Sequence, residues 1–213
     1  MKTDDLIALL STGLEPVQTD AARQRLQWAV VSGLAGGLLI MLSLYGLRKD
    51  MAAAVWLPMF WFKLAFPLAV ALPALVLVGR LGHPGMRVGR VWLALPLPWV
   101  ALSALALLAL FDAAPETRAS LLLGSTWTSC AFNIALVSLP SFVGLLWAMK
   151  GLAPTRPALA GACSGLVAAS LGTMVYALHC PEMQAPFLAM WYTLGMLLPT
   201  AAGAFLGTKI LRW

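Results

Sequence analysis

Charge is scarce in this 213-residue chain: Asp, Glu, Lys and Arg make up 10% of it, against about 25% in an ordinary soluble domain. Its eight acids are Asp4, Asp5, Glu15, Asp20, Asp50, Asp112, Glu116 and Glu182, and none falls inside a long apolar run. That absence removes paired carboxylates for acid–base catalysis and the intramembrane carboxylate that a cation-coupled transporter usually needs. Histidine is limited to His83 and His179, cysteine to Cys130, Cys163 and Cys180. No Ser/His/acid set or metal-ligand cluster follows from these, and no HxxxCxxC zinc motif occurs near the N-terminus, so the chain is not expected to be an enzyme. Polar stretches are short as well. The segments 48–54, 79–90, 112–129, 150–157 and 179–186 are all too small to fold as a soluble catalytic domain. A cleavable signal peptide is not expected, because the first 20 residues carry four acids and only a brief apolar stretch.

What is abundant is apolar sequence. The chain is 61% hydrophobic, with a mean hydropathy of +0.87. Six runs are long enough to cross about 30 Å of hydrocarbon, at about 20 residues each. They cover roughly 27–47, 55–78, 91–111, 130–149, 158–178 and 187–208. They are too uniformly apolar for barrel strands, so the expected fold is all-α, a polytopic membrane protein with six transmembrane helices. Six crossings put both termini on one side. Lys2, Arg23, Arg25, Arg80, Arg87, Arg90, Lys150, Arg156, Lys209 and Arg212 fall on that side, against Arg48, Lys49 and Arg118 opposite. By the positive-inside rule both termini are cytoplasmic, in a bacterial inner membrane. Trp28, Trp92, Trp147 and Trp213 sit at inner span ends, and Trp56, Trp127, Tyr176 and Trp191 at outer ones, as interfacial aromatics do. The net charge of +6 thus reflects topology and implies no direct contact with nucleic acid.

Two parts follow: a cytoplasmic segment, 1–26, and a six-helix transmembrane domain, 27–213. In the first, Thr3 is placed to cap a helix, Asp4 and Asp5 occupy its first turn where carboxylates favour the helix dipole, and Gly13 can end it. Leu6, Ile7, Leu9, Leu10 and Leu14 supply an apolar face. About ten helical residues are marginal alone in water, so this face needs a surface. That surface is either the protein's own membrane domain and leaflet or a cytoplasmic partner protein; the acidic first turn argues against an anionic leaflet.

Within the spans, Gly33 with Gly37, Gly161 with Gly165 and Gly203 with Gly207 have the spacing that lets helices approach closely. Pro58, Pro67, Pro73, Pro96, Pro98, Pro140 and Pro199 are candidates for kinks. Lys63 is the only formal charge deep in a span and so a functional candidate. Its bland reading is a side chain snorkelling past Trp56 or Trp61, or bonded to kink carbonyls near Pro67, with Asn133 as a further candidate partner.

Cys130 opens the fourth span at its outer end, and Cys180 follows the outer end of the fifth. Co-facial thiols at similar depth, in a compartment where disulfides persist, form an environment-facing pair if their helices adjoin. Three readings stand: a redox switch, capture of a soft metal by Cys130 and Cys180 with His179 and Met183 as auxiliaries, or two unpaired small residues. Cys163, mid-span, reads as packing.

The opening MKTDDLIALLSTGLEPV, six spans, Lys63 in the second of them, and Cys130 and Cys180 spaced fifty apart with HCPE around the latter resemble the NrsF-like membrane anti-sigma factors across the whole chain. The resemblance implies a regulator that restrains an extracytoplasmic-function (ECF) sigma factor. It implies that the N-terminal segment, with Asp4, Asp5, Leu6, Ile7, Leu9 and Leu10, holds the sigma factor. It also implies that Cys130 and Cys180 sense oxidative or heavy-metal stress across the bilayer. No resident cofactor is expected, beyond transient soft-metal ligation. The alternative reading is a small transporter or metal-export component that uses Lys63, Asn133 and kinked helices.

Overall fold

Proline fixes where several helices begin. In the computed structural model, which describes residues 3–12, 20–83 and 85–212, Pro58, Pro96, Pro115 and Pro157 each open a helix. At that position the missing N–H has no intrahelical partner to lose, and the fixed φ already suits the helix. Pro58 and Pro96 therefore start spans rather than kink them, and Pro98 falls in the first turn beside Pro96. Among the described residues, Pro67, Pro73, Pro140 and Pro199 lie inside helices beyond the first turn.

The elements in order are α1 (Thr3–Ser11), α2 (Ala21–Leu44), α3 (Met51–Ala54), α4 (Pro58–Leu81), a 3₁₀ segment (Gly89–Ala94), α5 (Pro96–Asp112), α6 (Pro115–Leu123), α7 (Trp127–Lys150), α8 (Pro157–Ala177), α9 (Ala185–Phe187), a π-helical segment (Leu188–Tyr192) and α10 (Thr193–Ile210). Among the described residues there is no strand, and six helical stretches are long and apolar enough to cross a membrane. They overlap the six expected spans, with two early starts: the first at Ala21, inside the segment expected to be cytoplasmic, and the fourth, counted with α6, at Pro115. The segments 48–54 and 112–129, expected as plain loops, contain α3 and α6.

Small residues decide which helix is central. Gly161, Ser164, Gly165, Ala168, Ala169, Gly172 and Thr173 let α8 sit between α4, α7 and α10. A Cβ on Gly161 or Gly165 would strike backbone of α10 at Gly203 and Pro199, and one on Gly203 would strike Gly161. Gly33 and Gly37 likewise bring α2 onto Ser141 and Val137 of α7. In lipid the helices gain little by hiding apolar surface from one another, so this close backbone approach is what holds them. α5 stays peripheral, with only Leu102 and Ala106 buried, and large apolar side chains such as Leu39, Phe111, Phe132 and Trp147 face outward where acyl chains would lie.

A hydrophobic core forms at each end of the bundle, with a smaller cluster of Met41, Val137 and Val175 besides. One, near the chain termini, joins Leu26, Leu77, Val78, Leu81, Met149 and Leu211. The other joins Phe66, Cys130, Tyr176, Cys180, Phe187 and Tyr192. α1 belongs to neither: every residue of it is exposed, with Ile7 at 59%, Leu9 at 68% and Leu10 at 64%. The alternative in which α1 rests on its own membrane domain is not met. Thr3 is its first helical residue rather than a cap preceding it, and Gly13 and Leu14 lie outside the described residues.

Candidate functional site

The far core is built where helix ends meet. α7 begins at Trp127, which places Cys130 in its first turn with its N–H bonded to the Thr126 carbonyl at 3.0 Å. α8 ends at Ala177, and the chain winds one more turn so that the Cys180 N–H bonds to the Tyr176 carbonyl at 3.0 Å. The two thiols meet side by side, hydrogen-bonded to each other and unbridged. Both are 0% exposed, so the pair does not face the environment as the sequence had suggested; its spans adjoin, but Phe187, Tyr176 and Tyr192 cover it. Cys163 lies in the other core, as a packing residue would.

Lys63 reaches the same place from α4. It is 0% exposed, and its Nζ donates to the carbonyls of Cys180 at 2.6 Å and Glu182 at 2.8 Å. It also lies 5.4 Å from the centre of the Tyr192 ring. It neither snorkels past Trp56 nor bonds to the carbonyls near Pro67. Burying an ammonium costs several kcal/mol unless good acceptors compensate, and two charge-assisted bonds to one loop do so. Asn133 is not its partner: it accepts from the Tyr45 hydroxyl at 3.0 Å and donates to the Tyr176 hydroxyl at 3.3 Å. Two of its three N–H donors are thus directed at the loop.

The rest of the loop 178–184 is held as firmly. The Glu182 carboxylate accepts from the Ser125 N–H at 2.7 Å and hydroxyl at 2.6 Å. Arg48 donates through its backbone N–H to Leu178 at 3.2 Å, and its guanidinium forms a two-pronged pair with Asp50 at 2.7 and 2.6 Å. That hydrogen bond holds the Asp50 carboxyl below the usual carboxylate range. Met183 turns its sulfur to the same guanidinium at 3.9 Å. His179 places Nδ1 3.0 Å from the Gly46 carbonyl, with its ring 5.3 Å from Tyr45 and 5.7 Å from Tyr176. Neighbours in sequence thus point apart: Cys180 inward to the thiol pair, His179 and Met183 toward the turn after α2. Cys130, Cys180 and His179 therefore do not form a preassembled ligand set, and among the described residues no three His, Cys, Asp or Glu side chains are grouped to hold a metal ion.

Tyr192 was not singled out by the sequence. The π-helical turn Leu188–Tyr192, a widening often found at functional positions, delivers it fully buried against Cys180. Its hydroxyl has no nitrogen or oxygen partner of ordinary hydrogen-bond geometry and lies at the Cys180 sulfur. Tyr176, read as an interfacial aromatic, is also buried, at 1% exposure. Cys180, in the loop between spans, is held below the ordinary thiol range, first by the hydrogen bond with Cys130, then by the Lys63 ammonium, against the opposing effect of burial. A dithiol with one sulfur biased toward thiolate can lose two electrons and two protons to become a disulfide, or bind a soft cation through two sulfurs.

The profile of the NrsF family, described as negative regulator of sigma F, matches residues 10–213. The probable anti-sigma-F factor NrsF of Azospira oryzae is 46% identical over 213 residues, covering all of both chains. The anti-sigma-F factor NrsF of Caulobacter vibrioides is 37% identical over 219 residues, again covering all of both. No solved structure matches. These relatives are regulators rather than enzymes, and the chain belongs to the NrsF family.

Proposed function

We propose that this protein is a membrane anti-sigma factor that holds a sigma factor of the sigma F type, of the ECF class, at the cytoplasmic face of the inner membrane through α1. The observation that carries this is the undocked apolar face of α1, with Leu6, Ile7, Leu9 and Leu10 all exposed on a helix tethered to a six-span bundle. Such a short helix gains a stable surface only from a partner, and an i, i+3, i+4 apolar face laid in a groove is a common docking mode. Asp4 and Asp5 favour a partner groove with a basic edge. The names of the two relatives supply the kind of partner.

Cys130 and Cys180 are the input in this reading. Oxidation to a disulfide, or ligation of a soft metal, pulls the α7 start and the loop after α8 into a new arrangement. α7 carries α2 against it, and α2 carries the tether to α1. To move a population from mostly holding to mostly releasing, the modified pair must favour the releasing state by about 5 kcal/mol. The test is a reporter driven by the sigma factor: Leu6→Asp and Leu10→Asp are expected to give constitutive expression and to abolish co-purification of sigma with membranes. Unchanged co-purification would overturn the role of α1.

A further inference from the structure

We infer that the cleft between α2 and α4 at the terminus end of the bundle is a binding site for an anionic phospholipid. Both helices pack on the α7–α8 centre, yet they barely touch one another. Between them lies a cavity of about 570 Å³, walled by Leu26, Val30 and Val31 of α2 and by Leu75 and Val76 of α4. Val31 and Val76 remain 58% and 46% exposed, so the cleft opens sideways to the surroundings of the bundle. In a bilayer those surroundings are acyl chains, and an apolar cleft of this size holds one in place of water.

The mouth of the cleft chooses the headgroup. Arg23 and Arg80 line it from opposite walls, with His83 beside Arg80 and Asp20 as the one acid. Arg80 donates one N–H to the Val88 carbonyl at 2.6 Å, which fixes its guanidinium at the rim while leaving other donors for a ligand. Guanidinium forks match phosphate oxygens, and basic pockets between transmembrane helices at the cytoplasmic leaflet suit anionic headgroups. Apolar walls below two guanidiniums therefore select a phosphodiester with attached acyl chains, and an anionic lipid over phosphatidylcholine, whose choline brings a compensating positive charge next to Arg23 and Arg80.

The test uses the full chain, with no sigma factor present, so its result does not depend on the proposed capture by α1. Native mass spectrometry is performed on protein extracted from membranes and exchanged with phosphatidylglycerol or phosphatidylcholine. The expected result is a retained phosphatidylglycerol, with phosphatidylcholine at least tenfold less retained and Arg23→Gln lowering phosphatidylglycerol retention about tenfold. Equal retention of the two lipids, or retention unaffected by Arg23→Gln, would overturn the proposal. A photo-crosslinker at Val76 gives an independent readout in phosphatidylglycerol nanodiscs. A lipid adduct supports the site, whereas crosslinking to residues 3–11 would show that α1 fills the cleft instead and would refute it.

Discussion

Replacing Lys63 with Met tests whether the thiol site is held shut by this side chain. Met nearly conserves the volume but removes the donors to Cys180 and Glu182, at 2.6 and 2.8 Å. Hydrogen bonds to a charged group contribute about 1.5–3 kcal/mol each, so two of them contribute about 3 kcal/mol or more to keeping the loop closed. Global stability is the wrong readout, because removing a buried ammonium also removes a desolvation cost of several kcal/mol, and the two effects oppose. Local opening reads only the lost bonds. At about 1.4 kcal/mol per decade, 3 kcal/mol corresponds to about 100-fold more open loop. The assay is alkylation of Cys180 by a small uncharged maleimide in membranes, at a pH above the Cys180 midpoint of both proteins so that their thiolate fractions match, quantified by peptide mass spectrometry. Lys63→Met is expected to raise the rate by about two orders of magnitude, with Cys163, in the other core, unchanged as internal control. A rate within threefold of the unsubstituted protein would refute the idea that Lys63 clamps the loop.

Other outcomes follow from the same geometry. Because Cys180 is held below the ordinary thiol range, its alkylation rate at lower pH should fall off only beneath the midpoint of about 8.5 typical of a free thiol; Lys63→Met, by removing the positive charge, should move that midpoint up. Gly161→Ala should loosen the α8–α10 contact, since its Cβ would meet backbone of Gly203 and Gly207 that no rotamer change can clear. Overpacking of this kind costs about 1–3 kcal/mol, or roughly 2–4 °C of Tm per kcal/mol in detergent. Gly144→Ala, whose Cβ would find its nearest neighbour at an ordinary 3.5 Å, should leave Tm unchanged or slightly higher.

The spans were legible because length and apolarity alone dictate a crossing helix. That Cys130 and Cys180 lie at one end of the bundle followed from counting those spans, and the glycine pairs from their four-residue spacing. What stayed hidden was whatever depends on partners distant in sequence. Lys63 bonds to backbone carbonyls 117 and 119 residues away, and a carbonyl leaves no trace in residue identity. Tyr192 reaches Cys180 only because the helix widens to π pitch over Leu188–Tyr192, which no apolar pattern reveals. His179 and Met183 flank Cys180 in sequence but follow the geometry of the turn after α2. Pro58 and Pro96 show the same limit on a smaller scale: an apolar run does not say whether its proline begins the helix or bends it.

The central claim is that the buried thiols on one side of the bundle govern what α1 holds on the other. It is tested most directly by measuring sigma factor bound to membranes before and after treatment with a thiol oxidant, in the unsubstituted protein and in the Cys130→Ser, Cys180→Ser double variant. The account predicts that oxidant releases sigma from the former and leaves it bound to the latter. Equal release from both, or release from neither while a Cys130–Cys180 disulfide forms, would contradict it.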